Sequence, residues 1–149
     1  MMKLKFTQRP MPVLAEHRTL YKISQILLVL HLCGRAEKCS LLKLHLFNWA
    51  LKSERRLASL KEASRKGVLT LPVWGFDPAL AIALKFAVED QLVTALSTGV
   101  EISVKGQDFL SFLLKDKDLL SPEKTSLRII GKGISEKMVD SVAKGWDAL

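Results

Sequence analysis

Apolar residues recur at helical spacing over most of this chain and alternate with polar ones only near its middle. From Arg18 to about Leu32 they fall at Leu20, Ile23, Leu27 and Leu30, a single stripe that faces a core. Gly34 is placed to close that helix and Ser40 to N-cap the next. The second helix opens as LLKLHLFNWALK, apolar on most sides. It continues, more polar, through SERRLASLKEASRK to Gly67, with Ser53 marking a break or kink. Val68 to Trp74, VLTLPVW, reads as an extended segment limited by Pro72. Asp77 as N-cap and Pro78 at the first helical position begin a third helix that runs to about Gln91. Leu92 to Leu96 and Val100 to Val104, around Ser97-Thr98-Gly99, carry a hairpin signal. KGQDFLSFLLKD then sets Phe109, Phe112 and Leu113 at i, i+3 and i+4 of a fourth helix. Ser121-Pro122-Glu123 starts another, with Ser121 as its cap. After Gly131 and Gly133, Ser135 caps a last helix holding Met138, Val142 and Trp146.

Helix, helix, helix, strand, strand, helix is the plan of a winged-helix domain, with the hairpin as the wing. The expected fold class is therefore mainly α (α+β), with additional C-terminal helices. Pro10 and Pro12 keep the start of the chain out of a helix. Residues 1–17 are accordingly expected as an extended arm, and residues 18–149 as a single winged-helix-like domain with a C-terminal helical extension. A chain of 149 residues can bury a sizeable core, and 48 % hydrophobic with 26 % charged residues excludes global disorder. The longest apolar run, ILLVLHLC, is far short of the ~20 residues of a membrane span. MMKLKFTQRPMP has no apolar stretch behind its cations, so no signal peptide is expected. Two cysteines without a secretion signal fit free thiols in the cytoplasm.

The formal charge of +8 is unevenly spread. Residues 1–67 hold 14 Lys/Arg against 4 Asp/Glu, whereas residues 68–149 hold 9 against 11. A basic first half attracts polyanions, or serves solubility alone. Its densest stretch offers Lys52, Arg55, Arg56, Lys61, Arg65 and Lys66 against Glu54 and Glu62, a candidate face for the DNA backbone. A solvated helix face with intrahelical pairing explains it about as well. No aromatic side chain interleaves this face, which disfavours a single-strand binder.

Catalytic constellations are missing. No nucleophile elbow, Walker loop or paired-carboxylate motif occurs, and no enzyme activity and no cofactor is expected. Gly131-Lys132-Gly133 lacks the flanks of a phosphate loop and reads as a helix-to-helix turn. His31, Cys33, Cys39 and His45 are ligand types zinc accepts, but Cys33-x5-Cys39 is wider than the usual pair, and His45 sits among Leu44, Leu46 and Phe47. Core residues are the better reading of all four, and no metal is expected.

In a winged helix, the helix before the wing reads the major groove. That task calls for Arg, Lys, Asn, Gln or Ser on its outward face. DPALAIALKFAVEDQLV instead carries one cation, Lys85, against Asp77, Glu89 and Asp90. Carboxylates repel the phosphate backbone, and an apolar body suits a protein partner. Trp74, Phe76, Leu80, Leu84 and Val88 are the candidate partner-interface residues.

LLKLHLFNWALKSERR, DPALAIALKFAVEDQLV, the hairpin closing on VKGQDFL and the tail LSPEKTSLRIIGKGISEKMVDSVAKGW carry a family resemblance over roughly residues 18–146. Together they resemble the small middle components of bacterial ABC-three-component systems, linked to Lamassu-type antiphage defence. The tail is the most distinctive, with Glu123-Lys124 and Ser135-Glu136-Lys137 leading its helices. Such hairpins often close as Leu-Thr-x-x-Gly, whereas this one reads Ser103-Val104-Lys105-Gly106. The resemblance implies a non-catalytic adaptor bridging an SMC-like ABC ATPase and a nuclease-like effector, with double-stranded DNA as a further backbone contact and no membrane. The alternative is a stand-alone winged-helix transcription regulator of the MarR or PadR kind, which needs a groove-reading helix.

Overall fold

The computed structural model describes residues 15–71 and 74–146. Among them the chain is mainly helical, with one small antiparallel sheet. The elements run α1 (Ala15–Cys33), β1 (Lys38–Cys39), α2 (Leu41–Ala50), α3 (Glu54–Lys66), α4 (Pro78–Glu89), β2 (Val93–Leu96), β3 (Gly99–Ile102), α5 (Val104–Lys115), α6 (Ser121–Ile130), a 3-10 turn (Gly131–Gly133) and α7 (Glu136–Trp146).

The first helix is the centre of the packing. Ile26, Leu27, Leu28 and Leu30 are all but inaccessible, so this segment is apolar all round rather than striped, as a helix covered on every side must be. It packs against α2, α4, α5 and α6. Each such side chain contributes on the order of 2 kcal/mol through burial. The helix begins at Ala15, three residues before the Arg18 expected from the sequence. Residues 15–17 of the expected arm are thus helical, and the rest of that arm lies outside the described residues.

Local chemistry sets most boundaries. Ser40 caps α2 by accepting from the Lys43 amide, and Ser53 caps α3 by accepting from the Arg56 amide, which divides the long second helix as its serine indicated. Gly67 ends α3 in the left-handed conformation at φ 75°. Residues 68–71 and Trp74 join no strand, and Pro72 lies outside the described residues. The segment is a strap: Leu69 and Trp74 are buried, and the Trp74 indole Nε1 donates to the Leu42 carbonyl at 3.1 Å. Trp74 also meets Trp146 edge-on, with centroids 4.9 Å apart.

The sheet order is β1-β3-β2. Val93 pairs with Ile102 and Leu96 with Gly99 in the hairpin, while Lys38 and Cys39 of β1 pair with Glu101 and Val100. Two residues are too few to show alternation, so the sequence gives no sign of β1. Gly99 is dictated by this third strand: a Cβ there would stand 2.0 Å from the Cys39 carbonyl oxygen. Gly99→Ala is expected to cost about 2 kcal/mol, since backbone must move to admit the methyl group; urea unfolding of the variant measures it, and an unchanged midpoint contradicts the close approach.

Ser103 ends the hairpin and caps α5. Its hydroxyl donates to the Gln91 carbonyl and accepts from the Gly106 amide at 2.9 Å. The expected cap at Ser121 is corrected: Ser121 is the first helical residue, and Leu120, left-handed at φ 54°, holds the cap position without a side-chain bond. The buried Lys124 ammonium ties α6 to the end of α5 through the Leu113 and Asp116 carbonyls.

Candidate protein-docking face

Asp77 organises the start of α4. One carboxylate oxygen accepts from the Ala79 amide at 3.0 Å, which is the N-cap. The other accepts from Asn48 Nδ2 at 3.1 Å and from Lys52 Nζ at 2.9 Å, with Lys22 Nζ at 3.5 Å. Lys22 Nζ also donates to Asn48 Oδ1 at 2.6 Å. Burial pushes this carboxyl upward. The bonds from Lys52, Asn48 and the Ala79 amide, with the Lys52 charge, outweigh burial and hold it well below the usual carboxylate range. The helix is thereby pinned to α1 and to the α2–α3 turn.

Pinned this way, α4 turns Leu80, Ala83 and Ala87 inward. Its outer side carries Ile82, 54 % exposed, and Phe86, 49 % exposed, one turn apart. Phe76, 76 % exposed, stands just before the helix and meets the His45 ring edge-on at 4.5 Å. Lys85, Glu89 and Asp90 are also exposed. This corrects the partner-interface residues expected from the sequence. Trp74, 4 % exposed, and Leu80, 2 % exposed, are core, Leu84 is half-buried, and only Phe76 and Val88 are accessible. Nearly every position of α4 is apolar, so hydrophobicity alone cannot phase it. Lys85 and Glu89 do mark the outer side, and they flank Ile82 and Phe86 rather than Leu80 and Leu84.

The basic stretch does not form one free face. Lys52 lies in the turn before α3 and is held by Asp77. The Arg56 guanidinium stacks 4.6 Å above the Trp49 ring and donates to the Trp49 carbonyl at 3.1 Å. Arg65 and Lys66 both pair with Glu62, at 2.5 and 3.1 Å. Water screens exposed pairs of this kind and they add little, so Arg65 and Lys66 can exchange partners. Arg56 is committed structurally, and Lys52 is engaged by Asp77 while staying about half exposed. Arg55 is exposed and Lys61 half-buried, on different sides of the helix.

The four potential zinc ligands are not brought together. His31 Nδ1 lies 2.8 Å from a Glu37 carboxylate oxygen, and Cys33 and Cys39 are buried as free thiols. His45 is buried beneath Phe76, and its Nδ1 has no hydrogen-bond partner among the described residues. No group of three His, Cys, Asp or Glu side chains able to hold a metal ion occurs among the described residues. Burial lowers the His45 pKa, with Asp77 opposing. The unfolded chain therefore takes up the His45 proton more readily, and stability falls as the pH drops through the ordinary histidine value of about 6.5. Urea unfolding at pH 7.5 and 5.5 checks this: His45→Gln should lose less stability on acidification than the natural chain.

No family model, curated protein or solved structure matches the chain.

Proposed function

We propose that this chain is a non-catalytic docking subunit built on a winged-helix plan, with α4 as its gripping element. The order α1-β1-α2, the sheet order β1-β3-β2 and a helix directly ahead of the hairpin support that plan. Helix α3 and the helices after the hairpin are additions to it. The observation that carries the reading is the outer side of α4, where Ile82 and Phe86 expose apolar surface beside a single cation, Lys85, and the acidic Glu89 and Asp90, with Phe76 exposed just before the helix. A groove reader needs donors there, whereas large aromatic and aliphatic anchors suit a protein interface.

On the family resemblance, the partners are an SMC-like ABC ATPase and a nuclease-like effector of a cytoplasmic antiphage or anti-plasmid defence complex. Among the described residues no helix is long and apolar enough to cross a membrane. The subunit works by coupling: engagement of DNA by the ATPase alters how the effector is held, and no bond is made or broken here. Coexpression with the products of the flanking reading frames, followed by sizing, tests the reading. A stable complex containing the ATPase supports it. A homodimer that shifts a palindromic duplex, with no complex, favours the regulator.

A further inference from the structure

A second region draws cations from four separate segments. Beside the end of α1 lies a cleft of about 820 Å³, floored by β1 and the start of α2 and walled by the Gly131–Gly133 turn and the start of α7. Arg35, Lys38, Lys132 and Lys137 line it, and none of them forms an ion pair among the described residues. The charge of Lys132 does reach Glu37, but that carboxylate is already bonded to His31 and Gln107.

The fifth cation is the informative one. Lys43 is 3 % exposed, and among the described residues its ammonium makes one hydrogen bond, to the Cys33 carbonyl at 2.9 Å. An ammonium has three donors, and burying it with a single neutral acceptor is unfavourable. The neighbouring thiols do not balance it: burial pushes Cys33 and Cys39 each up to about 12 despite Lys43, so both stay neutral. The lining carboxylates are Glu136 and Asp140, two against five cations.

Glu136 shows what the cleft holds. Its carboxylate accepts from the Ser40 amide at 3.1 Å and from the Ser40 hydroxyl at 2.6 Å. An anionic group from α7 thus already sits at the N-terminus of α2, among unpaired cations. We infer that this cleft binds a phosphate-bearing ligand, seated by Lys38, Lys43, Lys132 and Lys137, with the Glu136 carboxylate as its internal competitor. The cleft has room for an organic phosphate, and its cations rather than its volume select the group. No aromatic side chain lines the cleft to stack a base, so the phosphate itself is what is recognised. That group could belong to a small phosphate ester or to the 5′ end of a nucleic-acid strand. The seat stands apart from the α4 face and does not depend on the docking role.

Titration of the full chain with pyrophosphate and ADP, followed by amide NMR and calorimetry in moderate salt, tests the inference. Saturable binding should perturb Ser40, Lys43 and Glu136. The exposed double variant Lys132→Glu/Lys137→Glu, outside the sheet, should weaken it at least tenfold without altering the melting curve. Glu136→Gln, which lifts the internal competitor, should strengthen it severalfold. An Arg55→Glu control, at a residue that does not line the cleft, should change nothing. Absence of perturbation at millimolar pyrophosphate overturns the inference, as does equal weakening by Arg55→Glu. Displacement of pyrophosphate by a 5′-phosphorylated oligonucleotide, and not by its unphosphorylated twin, would support the seat and assign it to a strand end. Displacement by ADP alone would support it and assign it to a free small phosphate.

Discussion

Replacing Ile82 and Phe86 together with aspartate is expected to weaken partner capture about 1000-fold while leaving the chain folded. Anchors of this type contribute about 2 kcal/mol each at the centre of an interface, and roughly 4 kcal/mol is three decades of affinity. Both side chains point away from the body of the protein. The inward contacts of Leu80, Ala83 and Ala87 survive the change, and losing the covered half of each side chain together with helix propensity costs about 1–2 kcal/mol per site. Binding and unfolding therefore separate, and this separates an interface from a core. Pull-down with the proposed ATPase partner, coexpressed, reads the first, and a thermal melt reads the second. A collapse of both together would mean that α4 is packed differently; undiminished capture would move the interface elsewhere.

Asp77→Ala should act in the opposite way, through stability, by about 3 kcal/mol. Loss of the N-cap accounts for about 1 kcal/mol. The remainder comes from Asn48, which is buried, and from Lys22, half-buried, both losing their shared acceptor, at roughly 2 kcal/mol for stranded donors. Lys52 is about half exposed and can turn to water, so its pair adds little. The acid dependence gives an independent readout. Because the folded carboxyl titrates well below the unfolded value, its stabilisation is complete above about pH 4 and is lost as the pH falls toward the folded pKa. Asp77→Asn keeps the shape and should flatten that acid slope by close to one proton. Chemical denaturation from pH 7 to pH 3 measures both variants. An Asp77→Ala loss below 1 kcal/mol would show that the Lys22–Asn48–Lys52 cluster does not depend on its carboxylate.

The same cluster shows where sequence reasoning ends. Asp77 and Pro78 announce the start of α4 by themselves, and Ser53 announces the break between α2 and α3, because a cap is a local event. That Asp77 would also take Lys52 out of the basic stretch, twenty-five positions earlier, has no local signature. Arg56 was likewise legible as a cation but not as a partner of Trp49. The face of α4 misled for a related reason: with apolar residues on every side, only the tertiary contacts of Asp77 and the core fix which ridge is outward. The strand β1 exists because β3 lies alongside it, and two residues cannot declare a pairing to the rest of the chain. The cationic cleft is the extreme case. Arg35 and Lys38 stand nearly a hundred residues from Lys132 and Lys137, in segments that each look like ordinary solvated turns.

Amide hydrogen exchange over Pro78–Glu89 tests the central claim most directly. Protection should rise across this helix when the proposed ATPase partner is added and should stay at the level of the free chain with a saturating 30-base-pair duplex. Protection by the duplex, with none from the protein partner, would contradict a docking role for α4 and identify it as a helix that enters a groove.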